Sequence, residues 1–190
     1  MVLLVGLGNH GEKYQNNRHN VGFMFVDYLV GELTDLRVDG FKNDKYSSSK
    51  LVKFTKNNID FVFAKPQTFM NKSGIAIKKL LSNFQTLKLS NLIVAHDDLD
   101  IPFGKFHIQQ SVGPRLHNGL KSIEDNLKTK DFWRIRVGVD ARNPENRIDG
   151  ITYVLKNFSD SEKEKLEKEI FPKIFDQFQT FLKNQFSIIV

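Results

Sequence analysis

The alternation of short apolar runs with amphipathic stretches is the feature that most constrains how this chain can fold. Runs rich in β-branched residues, typical of strands, occupy residues 2–5, 51–55, 59–64, 92–95, 105–108 and 135–139. Between them, apolar side chains recur at helical spacing in residues 21–29 and 77–84, and residues 118–127 could form a third short helix. Strand and helix patterns that alternate in this way predict the α/β class.

A final amphipathic helix is predicted near the carboxyl terminus. Ser159 and Glu162 have capping-box spacing, and apolar side chains follow at intervals of four residues from 166 to 178. Pro172 lies inside this pattern and predicts a kink. The polar segments 40–50 and 143–150 are predicted to be surface loops rather than linkers. With 190 residues, 40% of them hydrophobic, the chain can form one core, so we expect a single domain spanning residues 1–190.

Composition excludes some chemistry and permits other partners. The chain has no cysteine, which rules out disulfides, thiol nucleophiles and cysteine metal sites. A net charge of +6 permits an anionic partner such as nucleic acid, although the same charge can serve solubility alone. The apolar start reaches a glycine at position 6, too soon for a signal-peptide core or a membrane span, so we expect a cytoplasmic protein.

Glycines at positions 6, 8 and 11 follow the first strand with the spacing of a dinucleotide-binding loop. In such a loop the last glycine lies in a helix, and an acidic residue about 20 positions on ends the second strand. Here the residues after Gly11 are polar without a helical stripe, and Asp27 falls within a helical pattern. The match is weak, and the glycines are better interpreted as exposing polar neighbours at the carboxyl edge of the strand.

Asn9 and His19 belong to this predicted rim, where open α/β sheets usually bind ligands. A neutral imidazole can accept a proton from water near pH 7, so His19 suits a general base, although a surface histidine without a role gives the same pattern.

Three carboxylates follow the fourth strand pattern, at Asp97, Asp98 and Asp100. They could bind Mg²⁺ or Ca²⁺ as hard oxygen ligands. Alternatively, Asp97 could pair with His19, fix the tautomer of its ring and stabilise the imidazolium formed in catalysis. The pairing is the simpler hypothesis.

Amide side chains occur where two other segments lead into predicted helices. Phe69 could stack on a base or pack against a peptide, and Asn71 could bind a substrate or cap the following helix. Asn118 leaves the same choice between substrate and N-cap. Spacing alone does not decide between them.

Together these segments resemble the bacterial peptidyl-tRNA hydrolase family in order and spacing, through VGLGNHGEKYQNNRHNVG, KPQTFMNKSG, HDDLDIPFGK, HNGLKSI and FWRIRVGV. The resemblance spans nearly the whole chain. It implies a single α/β domain with a mixed, twisted sheet between helices. It also implies a metal-independent hydrolase without a cofactor, which cleaves the ester between peptide and tRNA; we expect it to be a monomer.

By matching position, the resemblance implies three catalytic residues: the base His19, its supporting carboxylate Asp97, and Asn9. It also implies a set of residues that bind the substrate or line the cleft: Tyr14, Phe69, Met70, Asn71 and Asn118. Six basic residues are candidate contacts for tRNA phosphates: Lys65, Lys105, Arg115, Lys121, Arg134 and Arg136. The last two would share one face of a strand, which supports a basic patch.

The chain departs from the family at three places. The strand after Gly104 reads KFHIQ over residues 105–109, with fewer basic residues than the family has there. His10 replaces the usual proline, and the normally glycine-rich loop before His117 reads SVGPRL over residues 111–116. If this loop gates the peptide channel, its bulk would alter turnover or substrate range. Two other hypotheses stay open: a catalytically silent RNA-binding relative, like the chloroplast group II intron splicing factors that share this fold, and a metal-dependent esterase built on the three aspartates.

Overall fold

One mixed sheet organises the protein, which the computed structural model describes over residues 1–33, 40–84 and 87–187. Its strands within those ranges are β1 (Val2–Gly6), β2 (Lys42–Asp44), β3 (Ser49–Lys56), β4 (Ile59–Pro66), β5 (Leu92–Pro102), β6 (Phe106–Gln110) and β7 (Trp133–Asp140). They are ordered β2-β3-β4-β1-β5-β7-β6. β1 pairs in parallel with β4 and β5, and β5 with β7, whereas the outer pairs are antiparallel.

Helices cover both faces of the sheet: α1 (Val21–Leu33), α2 (Ser73–Asn83), α3 (Asn118–Leu127), α4 (Gly150–Val154), α5 (Asp160–Lys165) and α6 (Phe171–Phe186). Because successive side chains of a strand point to opposite faces, β1 contributes to two cores. Leu4 packs with residues of α1 and α6, and Leu3 packs with residues of α2 and α3. The predicted α/β class, with a mixed sheet flanked by helices, is confirmed.

All six predicted strands are present, but the predicted loop at residues 40–50 is wrong. It contains β2 and the start of β3, which pair in an antiparallel register with Asn43 opposite Lys50. This is an edge strand with polar side chains, so it lacks the apolar alternation by which strands are recognised.

The carboxyl-terminal helix differs from one continuous α-helix. α5 begins with the predicted capping box at Ser159 and Glu162, and residues Leu166–Ile170 then form a π-helix. Pro172 consequently falls in the first turn of α6, where a missing backbone N–H costs little.

The carboxyl end of β1 lies beside the middle of β5, where Gly6 is paired with Ala95. In the sheet, β1 lies between β4 and β5. The chain goes from β1 to the β4 side first and, after α2, crosses to β5 on the other side, so the connections run in opposite directions from β1. Open α/β sheets bind ligands at such a point. A Cβ at Gly6 would lie 2.3 Å from the carbonyl oxygen of Gly22, so this glycine of the loop serves close packing of α1 on the strand.

Candidate active site

A cavity of about 820 Å³ opens at this edge of the sheet and is called the cleft below. Its walls come from the loop after β1, the segment between β4 and α2, the middle of β5, the loop before α3, and α4. The residues that line it include Asn9, His19, Phe69, Met70, Asn71, Asp97, Leu99, Asp100, Arg115, Leu116, His117, Asn118, Ile151, Val154 and Leu155. Segments far apart in the sequence therefore meet in one concave site.

His19 and Asp97 form a buried pair in the cleft. His19 lies in a short 3-10 helix, Arg18–Asn20, directly before α1, and its Nδ1 is 2.8 Å from Oδ1 of Asp97. Burial opposes the charged form of the imidazole, but the charge and hydrogen bond of Asp97 outweigh it and raise the pKa of His19. Burial alone would raise the pKa of Asp97, but the two histidines beside it hold that pKa far below its usual range.

The second of these histidines, His117, was not predicted as a site residue. Its Nδ1 accepts hydrogen bonds from the backbone N–H groups of Gly119 at 3.1 Å and Leu120 at 3.2 Å, which makes it the N-cap of α3. A backbone N–H can only donate, so the ring hydrogen of His117 lies on Nε2. This hydrogen is donated to Oδ1 of Asp97 over 3.0 Å. One carboxylate oxygen thus accepts from both imidazoles.

The hydrogen bond to Asp97 also defines the free nitrogen of His19. With Nδ1 donating to the carboxylate, Nε2 carries the lone pair. Within the described residues Nε2 has no protein hydrogen-bond partner, and His19 lines the cleft. The ring can therefore accept a proton from a molecule bound there.

Asn9 is held so that its amide nitrogen is available. Its Oδ1 accepts from the backbone N–H of Met70 at 2.9 Å, which identifies the oxygen and leaves Nδ2 as a donor. Asn20, which was not predicted as a site residue, fixes the backbone of Asn9: its Oδ1 accepts from Asn9 N at 2.8 Å, and its Nδ2 donates to Asn9 O at 2.9 Å. The adjacent motif RHN was the available signal, because it places Asn20 beside His19.

The other predicted site residues divide into two groups. Phe69, Met70, Asn71 and Asn118 line the cleft, whereas Tyr14 is not among the described residues that do so. Neither asparagine caps a helix: no side-chain cap is seen for α2 among the described residues, and α3 is capped by His117. Both residues are exposed and line the cleft, so their amides can reach a bound substrate.

The three aspartates do not converge on one point. β5 continues through Asp97 and Asp98 instead of ending at residue 95, so these two side chains point to opposite faces. Asp98 accepts from Arg136 Nε at 2.8 Å, and Asp100 accepts from the backbone N–H of Arg115 at 2.8 Å. The three-aspartate site is therefore not formed. Nitrogen and oxygen atoms of His19, Asp97 and His117 lie within 4.8 Å of one another, but the same atoms make the two hydrogen bonds described above.

The predicted basic patch on β7 is wrong. Arg134 and Arg136 do share a face, but both are buried, and they pair with Glu124 at 3.0 Å and Asp98 at 2.8 Å. Spacing shows that two side chains share a face but not whether that face is covered. Lys65 pairs with Asp27. Lys105, Arg115 and Lys121 remain exposed.

The fold and the site together define a mixed-sheet protein of the α/β class that carries a buried His–Asp pair at the switch point of its sheet, an arrangement suited to a hydrolytic enzyme. The sequence model of the peptidyl-tRNA hydrolase family matches residues 3–189, and the chain belongs to this family. A peptidyl-tRNA hydrolase of Lawsonia intracellularis is 40% identical over 96% of this chain and 88% of its own length. One of Aliarcobacter butzleri is 42% identical over 88% of this chain and 85% of its own. A solved structure of the enzyme from Acinetobacter baumannii has a TM-score of 0.80 at 27% identity, covering 98% of this chain and 93% of that chain.

Proposed function

We propose that this protein cleaves the ester between peptide and tRNA with His19 as general base, supported by Asp97 and assisted by Asn9. Its family membership makes peptidyl-tRNA the substrate and ester hydrolysis the reaction. The observation that carries the catalytic assignment is the 2.8 Å bond between His19 Nδ1 and Asp97, which leaves the lone pair of Nε2 in the cleft.

In this mechanism water gives a proton to Nε2 of His19 while its oxygen attacks the ester carbonyl carbon. The imidazolium formed is stabilised by the carboxylate of Asp97, which stays ionised because its pKa is strongly lowered. The tetrahedral intermediate carries negative charge on the former carbonyl oxygen. When it collapses, the bond to the tRNA hydroxyl oxygen breaks, and that oxygen takes the proton back from His19.

Amide donors are suited to the charge that develops on oxygen. The side chain of Asn9 offers the substrate only its Nδ2 donor, because Oδ1 already accepts from Met70 N–H. It can donate to a carbonyl oxygen, as can the exposed amides of Asn71 and Asn118. No step in this scheme calls for a metal ion.

Asn9 is also a candidate reader of the blocked amino group. A peptidyl-tRNA has an amide carbonyl before its last residue, whereas a free aminoacyl-tRNA lacks one, so a donor aimed at this oxygen would favour the blocked substrate. We expect Asn9→Ala to lose discrimination between the two. Asn9→Asp is a second variant of matched size: it keeps the acceptor for Met70 N–H but removes the donor, so it should also lose discrimination. Unchanged discrimination in both variants would contradict this role.

For the tRNA, we propose Lys105, Arg115 and Lys121 as phosphate contacts, because their side chains are exposed. Replacing Arg115 by alanine should lower the slope of log affinity against log salt by about one. We further propose a monomer in the cytoplasm. In the described part of the chain, no helix is long and apolar enough to cross a membrane.

The decisive assay is release of N-acetyl-amino acid from N-acetyl-aminoacyl-tRNA, with an unblocked aminoacyl-tRNA as control. We expect rapid cleavage of the blocked substrate alone, resistance to chelators, and loss of activity in a folded His19→Ala variant. Binding without cleavage would favour the silent RNA-binding relative. Loss of activity on chelation would favour a metal held by His19, Asp97 and His117, and activity that survives without His19 would contradict the base assignment.

A further inference from the structure

Large apolar side chains are exposed around the cleft, and the catalytic mechanism gives none of them a role in the chemical step. Leu116 is 91% exposed, Ile151 74%, Phe69 49% and Leu155 44%, and all four line the cleft. Single exposed hydrophobic residues are common on proteins, but several that line one concave site mark a binding surface.

α4 forms one wall of this surface. Its inner side buries Tyr153, whose hydroxyl accepts from the backbone N–H of Ala141 at 3.1 Å and holds the helix in place. Val154 is also buried, but it lines the cleft. Ile151 lies four residues before Leu155, which directly follows the helix, and both side chains line the cleft. This short helix therefore presents aliphatic side chains to the cleft.

Leu116 contributes from the loop before α3, and its backbone is anchored on both sides. The preceding Arg115 donates its N–H to Asp100 at 2.8 Å, and the following His117 caps α3 and donates to Asp97. The leucine is consequently held at the cleft rather than free to fold back onto the protein. Its exposure gains nothing for the stability of the chain itself.

Two of the charged groups beside these side chains, Asp149 and Arg142, are engaged within the protein, whereas the side chain of Arg115 is exposed and is the phosphate contact proposed above. Asp149 accepts from Thr152 N at 2.9 Å as the N-cap of α4, and Arg142 is paired with Asp140 at 2.7 Å. An occupant lying between Leu116 and α4 would thus meet mainly aliphatic surface. The phosphates and ribose of a tRNA are a poor match for it, whereas apolar side chains of a peptide are a good one.

We propose that Leu116 and Ile151 form an apolar subsite for the last side chains of the peptide, so that the enzyme cleaves peptidyl-tRNAs ending in aliphatic residues faster than those ending in polar residues of equal size. This rests on the proposed function, because the ester and the subsite share one cleft with His19. A pocket contact of this kind changes kcat/KM by roughly tenfold or more between matched substrates.

The test uses one tRNA carrying either N-acetyl-Leu-Leu or N-acetyl-Asn-Asn, which are close in size and keep the RNA contacts constant. We expect kcat/KM for the leucine substrate to exceed that for the asparagine substrate about tenfold in the unmodified protein. Leu116→Asn and Ile151→Asn should each reduce this ratio at least threefold by slowing the leucine substrate. Ile75→Asn is the matched control, because Ile75 is 46% exposed but does not line the cleft, and it should retain the ratio.

The outcomes separate the two proposals. A ratio near one in the unmodified protein, or a ratio unchanged in both cleft variants, would overturn the subsite while leaving ester hydrolysis intact. Failure to cleave either substrate would overturn the proposed function itself. A ratio that falls equally in the Ile75 control would show a general effect of removing surface hydrophobicity and would also overturn the subsite.

Discussion

Replacing Glu162 by alanine should destabilise the protein by about 4 kcal/mol, because this carboxylate pairs with a buried guanidinium. Nη2 of Arg18 lies 2.7 Å from both oxygens of Glu162, and Nη1 donates to the carbonyl oxygen of Asn157 at 2.5 Å. The guanidinium also lies 4.4 Å from the ring centroid of Tyr153 and 5.0 Å from that of Phe158. Arg18 thereby ties the loop that carries His19 to the segment between α4 and α5.

The magnitude follows from the two roles of Glu162. Removing one partner of a buried ion pair costs about 3–5 kcal/mol, and the lower end applies here because Arg18 keeps its backbone carbonyl partners. Glu162 also accepts from the backbone N–H of Ser159 at 2.7 Å, and loss of that half of the capping box adds about 0.5–1 kcal/mol.

The assay is urea unfolding, with the change in the free energy of unfolding compared between Glu162→Ala and Glu164→Ala. Glu164 pairs with Lys168 at 2.7 Å on the surface, so its loss should cost no more than about 0.5 kcal/mol. Replacing Arg18 and Glu162 together by methionine should recover much of the loss, since no charge is then left buried without a partner. A cost below about 1.5 kcal/mol for Glu162→Ala would refute the reasoning.

Three further predictions concern the site and its packing. In a pH profile, kcat/KM should fall on the acid side with a pKa above the ordinary value of a histidine, because Asp97 raises the pKa of His19 and only the unprotonated ring is a base. In Asp97→Asn, burial acts alone and the acid limb should move to lower pH. His117→Ala should lower kcat roughly tenfold while KM changes little, because Asp97 loses a positioning hydrogen bond worth about 1.5 kcal/mol; an unchanged kcat would contradict this. Gly22→Ala should cost at least about 2 kcal/mol in thermal or urea unfolding, because its Cβ would lie 2.3 Å from a backbone oxygen of β5. Gly31→Ala should instead stabilise α1 by about 0.5–1 kcal/mol, because, apart from its chain neighbours and the helix backbone, no atom of the described residues lies within 4 Å of the added Cβ.

The class of fold, most element positions and the core of the candidate site were predictable from local patterns. Strands and helices can be recognised from the period of their apolar residues, and His19, Asn9 and Asp97 stood in polar segments that follow the predicted strands. The ordered motifs then pointed to one family, which the comparisons confirm. These features depend on the order of residues along the chain, so no contact between distant segments is needed to recognise them.

Tertiary structure alone decided which side chains are covered and which meet. In the sequence, Arg134 and Arg136 cannot be distinguished from an exposed pair of cations. In the structure, helix α3 and the side chain of Asp98 cover them and neutralise their charges. His117 becomes part of the site because the first turn of α3 fixes its ring hydrogen on Nε2, toward Asp97. Hydrogen-bond partners and burial are properties of segments brought together across the sheet, and the local pattern of residues does not contain that information.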